Sequence, residues 1–345
     1  MAKKPAIWID FENAPHVWVF SEIIRHFEKN NYPLFLTARD FSCTVDLCRR
    51  FGFNVKVIAK AGGERNRFAK VLQVLDRSRR LLSAMAHHRK KIGLALSFSS
   101  RSQTLSARAL GLPIICLEDY EFSEQFTARF MNEILVPFPI PKEIWGKHAN
   151  RIVHLPGLKE ELYLCRFKPV RQLPSPLSEQ AGVKILFRPE GRFTHYRSEQ
   201  SALLQKKIMD IFKGNANIIL VLLPRDSEQA AKLTEFCIKN KIRYWIPVTV
   251  MNGPSLIWHM DMVIGGGGTM TREASVLGIP SYTFFAGKWG AVDEYLRKKG
   301  SLVRISEIED IDKINVTTKN PSPIFVSEKA FNFTIAKIEE YLNYL

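Results

Sequence analysis

Short apolar runs rich in β-branched residues alternate with amphipathic stretches along most of the chain. In the first half, these runs predict strands at residues 6–10, 33–38, 54–59, 92–98, 113–118 and 133–138. Helix-like segments fall between them, near residues 17–29, 42–51, 66–90, 101–110 and 122–131. Strands that are apolar throughout, rather than at alternate positions, are typical of a parallel sheet covered by helices on both faces.

A cluster of prolines and glycines interrupts this alternation between residues 140 and 182, and we place a domain boundary there. The alternation then resumes with predicted strands at residues 184–189, 217–224, 243–248, 261–265 and 281–285. Further helices are predicted near residues 198–213, 227–240, 269–277, 291–299 and 327–345. We therefore expect an α/β protein of two Rossmann-like, doubly wound domains that face each other across a cleft. The predicted domains span residues 1–155 and 156–325, and a last helix at 326–345 could cross back to the first.

The chain is strongly basic, with 50 Lys and Arg residues against 34 Asp and Glu residues and a formal net charge of +16. This excess favours anionic partners such as phosphates, nucleotides, nucleic acid or an acidic membrane surface. The longest apolar run, residues 218–223, is far shorter than the ~20 residues of a membrane span. The first residues also lack a signal-peptide core, so we expect a cytoplasmic protein that attaches at most to the inner face of the cytoplasmic membrane.

Five cysteines are scattered along the chain without a CxxC pair. This spacing argues against both a disulfide framework and a zinc site. We expect no metal and no other cofactor.

The most specific signal is the run GGGGTM at residues 265–270, which follows a predicted strand and opens a predicted helix. Without Cβ atoms in the way, backbone N–H groups can approach a ligand closely, and a helix N-terminus attracts a phosphate. A tight turn needed only for packing is the alternative. Glu273, one turn into the helix, could accept hydrogen bonds from a ribose or simply complement the helix dipole. The predicted phosphate-binding residues are Gly266, Gly267, Gly268, Thr269 and Met270.

Charged residues follow other strands of the second half. Arg188, Arg192 and Arg225 are placed to converge on the glycine run, and a forked guanidinium holds a pyrophosphate well. Taken singly, each arginine could equally be an ordinary surface residue. We expect Glu190 and Lys288, at similar strand ends, to contact the sugar or the acceptor.

The first predicted strand leads into candidate catalytic residues. Pro15 suits the first turn of a helix that Asn13 would cap. His16 would then lie at the positive end of this helix, which keeps an imidazole neutral and fit to act as a base. Asp10, at the strand end, is a second candidate base, and Asn13 is a candidate contact to the acceptor. Alternatively, Asn13 and His16 only cap the helix.

An acidic cluster of sequence EDYE, at residues 118–121, follows the fifth strand. Carboxylates at a strand end suit general-base work by Asp119 and binding of an acceptor hydroxyl by Glu121. A solvated helix cap formed by Asp119 is the alternative.

Residues 70–91 form a basic, helix-like segment with apolar residues at near-helical spacing. Such a segment could lie on an anionic membrane surface or touch nucleic acid. It could also be an amphipathic helix that covers the sheet and exposes a solvated basic face. Its cationic and histidine residues include Arg77, Arg79, Arg80, His87, His88, Arg89, Lys90 and Lys91, and its apolar stripe includes Leu72, Leu75, Leu82 and Met85 with Phe68 just before it.

Several stretches together resemble a known family. They are WIDFENAPHVWVF, LTARDF, LEDYE and GGGGTMTREASVLGIPSY. They are similar to domain of unknown function 354, within the superfamily of the GT-B glycosyltransferases and the non-hydrolysing UDP-N-acetylglucosamine 2-epimerases. The likeness extends to about residue 305. The first loop, FENAPH, differs from the glycine-rich loop of the peptidoglycan glycosyltransferase of that superfamily.

The resemblance implies a nucleotide-sugar donor held mainly by the C-terminal half, with residues 266–269 on the pyrophosphate and Glu273 on the ribose. A glycan or lipid-linked acceptor would enter over the N-terminal half. We therefore predict a metal-independent, inverting glycosyltransferase of cell-surface glycan or glycolipid synthesis. His16, Asp10 or Asp119 would deprotonate an acceptor hydroxyl that attacks the anomeric carbon. The glycine-turn N–H groups and an arginine would stabilise the leaving nucleoside diphosphate.

Three other functions stay open. A nucleotide-sugar 2-epimerase on the same fold needs no acceptor. A silent binder would hold a nucleotide sugar without turning it over. A nucleic-acid-binding protein would bind DNA or RNA with a steep salt dependence. The basic residues are spread along the chain and no nucleic-acid module is recognised, so nucleic acid is the least favoured partner.

Overall fold

The computed structural model describes residues 4–60, 67–123, 125–170, 172–175, 177–190, 199–285, 287–319 and 325–343. The chain divides into two compact units. Unit 1 comprises residues 1–165 and 327–345, and unit 2 comprises residues 166–326. The chain therefore enters unit 2 at Arg166 rather than at residue 156, because a strand and a short helix within residues 152–164 still belong to unit 1.

Unit 1 is built on a seven-stranded parallel sheet of order β3-β2-β1-β4-β5-β6-β7. Its strands are β1 (Ala6–Phe11), β2 (Leu34–Asp40), β3 (Lys56–Lys60), β4 (Ile92–Phe98), β5 (Ile114–Leu117), β6 (Glu133–Pro137) and β7 (Ile152–Leu155). Its first helices are α1 (Ala14–Lys29), α2 (Thr44–Arg50), α3 (Arg67–Ala86), α4 (Arg101–Ala109) and α5 (Glu161–Leu164), with 3₁₀ helices at Phe126–Phe130 and Lys142–Arg151. Every residue of β1 is buried, as expected for a central strand covered on both faces.

Unit 2 carries a six-stranded parallel sheet of order β10-β9-β8-β11-β12-β13. Its strands are β8 (Val183–Arg188), β9 (Ile218–Leu222), β10 (Tyr244–Trp245), β11 (Met262–Gly265), β12 (Ser281–Thr283) and β13 (Val303–Arg304). Its helices are α6 (Glu199–Asp210), α7 (Ser227–Lys239), α8 (Gly253–Trp258), α9 (Gly268–Val276) and α10 (Ala291–Lys298), with 3₁₀ helices at Leu177–Glu179 and Ile308–Lys313. The chain then returns to unit 1 with α11 (Lys329–Asn343).

The two strand orders place one topological switch point in each unit. In unit 1 it lies between β1 and β4, and in unit 2 between β8 and β11. Ligands of open parallel sheets bind outside the carboxyl ends of the strands at such a point. The residues that follow these four strands are therefore the first place to look for a site.

The predicted α/β class and the two doubly wound sheets are confirmed, with differences at the weaker elements. The strand expected at residues 243–248 is only Tyr244–Trp245, because Pro247 has no N–H to donate to a ladder. The helix expected at residues 122–131 is the 3₁₀ helix Phe126–Phe130. β7 and β13 were not predicted, since each is short and lacks a continuous apolar run.

The basic segment at residues 70–91 folds as α3, with a different inner face from the one predicted. Arg77 is 3% exposed, and Leu81 and Met85 continue its buried row at helical spacing. Leu72 and Leu75, expected in the apolar stripe, are 50% and 52% exposed. The side chain of Phe68 lies outside the described residues. Among the helices that the structure describes, none combines the length and the apolar character needed to cross a bilayer.

Candidate functional site

The carboxyl end of β1 carries a fully buried carboxylate, Asp10. Arg77 of α3 donates two hydrogen bonds to it, from Nη1 to Oδ2 at 2.9 Å and from Nη2 to Oδ1 at 2.8 Å. Thr37 Oγ1 donates to Oδ1 at 2.7 Å, and Ser100 Oγ donates to Oδ2 at 2.9 Å. Four donors thus saturate this carboxylate. The geometry favours an anchor for β2, α3 and α4 over the predicted role of Asp10 as a base.

His16 lies at the start of α1, where Asn13 is the N-cap residue without a capping side-chain hydrogen bond. The His16 ring is 5% exposed and lies 4.8 Å from the ring of Phe98, at the end of β4. Its Nδ1 accepts a hydrogen bond from the backbone N–H of Glu12, with 3.3 Å between the two nitrogens. Burial lowers the pKa of His16 to about 4. The ring is therefore neutral at pH 7. The Glu12 N–H on Nδ1 favours the tautomer that carries the proton on Nε2, and the ring also faces the backbone of Asp10. In this tautomer Nε2 can donate a hydrogen bond but cannot take up a proton.

The acidic cluster after β5 is largely buried, with Glu118 7% and Glu121 4% exposed. The Glu118 N–H donates to Leu135 O at 3.0 Å, and Ser123 Oγ donates to its Oε2 at 3.2 Å. Burial raises the pKa of Glu118 to about 7, although hydrogen bonds to the carboxylate oppose the shift. A carboxyl group with such a pKa can both accept and release a proton near neutral pH.

Lys159 brings a cation to the same edge of the sheet from the loop after β7. It is 5% exposed and forms ion pairs with Asp119 and, at 3.4 Å, with Glu160. Its Nζ lies 5.7 Å from the ring centroid of Phe98. Asp119, predicted as a base, therefore carries a buried counter-ion.

In unit 2, the glycine run forms the turn from β11 into α9. Gly267 is the N-cap residue and α9 begins at Gly268, one residue before the predicted start. The Gly266 N–H donates to Arg188 O at 2.9 Å, so it continues the sheet. A Cβ on Gly266 would lie 2.8 Å from both Glu190 Cβ and Phe284 Cε2. Gly266 is thus required by packing, and its N–H is not one of the donors available to a phosphate.

The first turn of α9 carries the main-chain donors that Gly266 does not supply. Its opening N–H groups, on Gly268, Thr269 and Met270, have no carbonyl one turn earlier to bond. These residues are half-buried. Thr271 Oγ1 donates back to Gly267 O at 2.9 Å and Gly268 O at 3.0 Å, so it does not cap the helix. The turn therefore presents bare main-chain donors and the positive end of a helix.

Arg225 approaches this turn, and a Cβ on Gly267 would lie 3.2 Å from its Nη2. Its Nε donates to Pro189 O at 3.3 Å. Arg188 lies opposite Gly265 in the sheet register. Arg192 lies outside the described residues.

The remaining predicted residues of unit 2 differ in how deeply their side chains are buried. Glu190 is 6% exposed and packs against Gly266, whereas Lys288 is exposed after β12. Glu273 lies in the second turn of α9 and is 3% exposed. Next to it in the chain, the Arg272 guanidinium donates two buried hydrogen bonds of 2.7 Å to the Asp293 carboxylate. This pair fixes α9 to α10.

The profile of a protein family of unknown function, DUF354, matches residues 5–341. The chain belongs to this family. An uncharacterised protein of Methanocaldococcus jannaschii is 27% identical over 317 residues, which cover 88% of this chain and 89% of the relative.

Solved structures similar to this DUF354 protein have the GT-B fold. A complex of Staphylococcus aureus MnaA with UDP has a TM-score of 0.74 at 12% identity, and covers 99% of this chain and 98% of its own. The UDP-GlcNAc 2-epimerase of M. jannaschii with UDP-GlcNAc and UDP gives a TM-score of 0.68 at 14% identity, covering 97% and 99%. A glycosyltransferase of kitacinnamycin gives 0.55 at 12% identity, covering 99% and 96%. At these identities the likeness establishes the fold alone.

Two residues of the unit 1 site were missed by sequence reasoning in this DUF354 protein. Arg77 was placed on a solvated basic face, and Lys159 lies in the stretch interpreted as a linker. The signal for Lys159 was weak, because the IVHL run before it is short and is interrupted by His154. None existed for Arg77, because its partner Asp10 is 67 residues away in the chain.

Proposed function

We propose that this protein transfers a sugar from a nucleotide-sugar donor to an acceptor hydroxyl. The observation that carries the proposal is the open first turn of α9, with Arg225 reaching the Gly267 end of it. Bare N–H groups, a helix N-terminus and a guanidinium together suit a diphosphate. The GT-B fold, shared with structures that contain UDP, supports a nucleotide as the ligand.

In this proposal unit 2 holds the donor. The N–H groups of residues 268–270, with Arg225 and Arg188, take the diphosphate, and their positive charge stabilises it as it leaves. Glu273, in the next turn of α9, supplies a carboxylate for the ribose hydroxyls. Glu190 and Lys288 stay candidate contacts to the sugar.

Unit 1 supplies the groups for proton transfer. The acceptor oxygen forms a bond to the anomeric carbon, the bond from that carbon to the diphosphate breaks, and the hydroxyl proton passes to a base. Glu118 suits this task better than His16, whose Nε2 carries a proton, or Asp119, which is paired with Lys159. His16 then donates to a substrate oxygen, and Asn13 and Glu121 are candidate contacts to the acceptor.

The donor site is tested by binding. We expect isothermal titration with a panel of UDP-, GDP-, CMP- and dTDP-sugars to identify one nucleotide that binds. Arg225→Met and Glu273→Ala should each weaken that binding at least tenfold, on the order of 1.4 kcal/mol. Lys232→Met is the control, since this lysine of α7 has a side chain that is 67% exposed and pairs with Glu228 at 2.9 Å on the surface. Unchanged affinity in Arg225→Met would remove the diphosphate from the α9 turn.

An epimerase is the second candidate, because several solved structures with this fold are UDP-GlcNAc 2-epimerases. Incubation of the bound nucleotide sugar without any acceptor separates the two reactions. An epimer formed under these conditions identifies an epimerase, and nucleoside diphosphate released only with an acceptor identifies a transferase. Binding with neither product identifies a silent binder.

We also propose that the acceptor is lipid-linked and is reached at an anionic membrane. The support comes from α3, where Val71, Leu72 and Leu75 are 56%, 50% and 52% exposed. Arg79 and Arg80, further along the helix, have side chains that are 78% and 55% exposed. Exposed aliphatic residues beside cations suit an anionic lipid surface, because the aliphatic side chains can enter the acyl boundary while the cations meet the headgroups.

A further inference from the structure

The side chain of Lys159 is buried, and removing its ammonium group from water costs free energy. Its side chain is 6% exposed, and the carboxylates of Asp119 and Glu160 that pair with it are 17% and 1% exposed. A buried ion pair seldom stabilises a fold more than apolar residues of the same volume would. Ordinary stability therefore does not explain why this lysine is there.

The surroundings of Lys159 tie together two residues of the candidate site. It pairs directly with Asp119, which follows β5, and its ammonium faces the ring of Phe98 at 5.7 Å. The Phe98 ring also contacts His16, with 4.8 Å between the ring centroids. Lys159 thus links the end of β7 to the groups that follow β1, β4 and β5.

We propose that Lys159 is a positioning residue, which holds the Asp119 carboxylate and the Phe98 ring in place beside His16 at the edge of the sheet. The part that this cluster plays in a sugar reaction rests on the proposed function. The electrostatic effect on His16 is a property of the protein alone.

The charges that face His16 come from several elements and act in opposite directions. Burial lowers the pKa of His16 most, Asp10 raises it through its carboxylate and backbone, Lys159 lowers it, and Asp119 raises it. Glu12 contacts the ring through its N–H. Removal of the ammonium takes away a charge that disfavours the imidazolium and the counter-ion of Asp119, so the imidazolium becomes easier to form.

The test is the titration of His16 in the full chain, followed by NMR on protein labelled at histidine and assigned with a His16→Gln variant. In the wild type we expect His16 to stay neutral down to pH 5. In Lys159→Met its pKa should rise, and Lys159→Arg should restore the wild-type behaviour. A Lys159→Met protein with wild-type His16 titration overturns the proposal.

A second variant keeps the test decisive if Lys159→Met does not fold. Lys159→Met combined with Asp119→Asn removes both charges and leaves no unpaired carboxylate at position 119. Its His16 pKa should lie closer to the wild-type value than that of Asp119→Asn alone, which removes only the charge that favours protonation and should lower the pKa. Equal His16 titration in these two variants would overturn the proposal.

Activity separates this inference from the proposed function. With an active sugar reaction, we expect Lys159→Met to lower kcat at least tenfold with little change in KM for the nucleotide sugar, and Lys159→Arg to recover part of it. Unchanged kcat in a folded Lys159→Met enzyme overturns the positioning role. If no nucleotide sugar binds or reacts, the proposed function fails, and the His16 titration still decides the effect of Lys159.

Discussion

The carboxyl edges of the two sheets use opposite chemistry. At the edge of unit 1, charged side chains are buried and paired, as in Asp10 with Arg77 and Asp119 with Lys159. At the edge of unit 2, the α9 turn presents main-chain N–H groups without a capping side chain. Side chains can hold and move protons, whereas a bare helix N-terminus can only bind an anion. The comparison teaches that two sheets of similar topology can carry different groups at their carboxyl edges, which is why we propose proton chemistry for unit 1 and phosphate binding for unit 2.

The largest effect should come from the buried pair of unit 1. Asp10→Asn keeps the side-chain shape but leaves the Arg77 guanidinium buried without its counter-ion. We expect it to lower the free energy of unfolding by about 3–5 kcal/mol in urea denaturation. Asp46→Asn is the matched control, because Asp46 pairs with Arg49 at 3.0 Å on the surface. It should cost less than about 1 kcal/mol. Equal losses in the two variants would show that Asp10 is not an anchor.

The next effect depends on pH and also belongs to unit 1. Because burial raises the pKa of Glu118 from 4.5 to about 7, its contribution to stability is fully present below pH 4.5 and is lost as the pH rises through 7. The loss amounts to about 3 kcal/mol, and Glu118→Gln, neutral at every pH, should not show it. We therefore expect urea denaturation at pH 5, 6, 7 and 8 to show a free energy of unfolding for Glu118→Gln that rises relative to that of the wild type as the pH increases.

The exposed Glu143, on the 3₁₀ helix Lys142–Arg151, provides the control for this pH series. Glu143→Gln should follow the wild-type curve in parallel. If Glu118→Gln also runs parallel to the wild type, Glu118 is not the group that titrates near neutral pH, and it loses its role as the base.

A smaller effect is expected at the unit 2 edge, where close packing rather than charge is at stake. Gly266→Ala brings a methyl group to 2.8 Å from Glu190 and Phe284, so we expect about 1–3 kcal/mol of destabilisation in thermal or urea unfolding. Gly253→Ala is the steric control, since among the described residues its added methyl group meets no atom within 4 Å beyond its chain neighbours and its own helix, so it should cost less than Gly266→Ala. If Gly266→Ala lowers stability no more than Gly253→Ala does, the turn can accommodate a methyl group and the steric explanation for Gly266 is wrong.

A contrast between local signals and long-range contacts explains how much of the structure can be predicted from the sequence. The fold follows from local signals, because an apolar run such as residues 92–98 is read from adjacent residues and becomes β4 with the same bounds. Short strands such as β13 cannot be predicted in this way, because two residues are too few to show a periodic pattern.

The candidate site follows the same rule. The α9 turn can be located from the sequence because its donors are main-chain groups of one continuous glycine run. The pairings of unit 1 cannot, because Lys159 and Asp119 are 40 residues apart and only the sheet brings them together. The pKa of Glu118 near 7 is also invisible in the sequence, since it arises from burial.

The smallest effect on stability, and a sharp one on binding, is expected on the surface of α3. Leu72→Glu combined with Leu75→Glu changes two half-exposed residues, so the free energy of unfolding should move by less than about 0.5 kcal/mol for each. Sedimentation with vesicles of anionic phosphatidylglycerol should nevertheless show at least tenfold weaker binding than the wild type. Vesicles of phosphatidylcholine alone should bind neither protein well, because they lack the charge that attracts the cations of α3.

A matched control from unit 2 makes this last result specific. Ile238 on α7 and Leu203 on α6 are 64% and 44% exposed, and Ile238→Glu combined with Leu203→Glu adds the same two negative charges to the surface of unit 2. If only the α3 variant loses vesicle binding, the association is specific to α3, which supports the proposal that the acceptor is reached at a membrane. Equal loss in both variants would mean that net charge alone drives the association. Wild-type binding by the α3 variant would remove the membrane from the proposal.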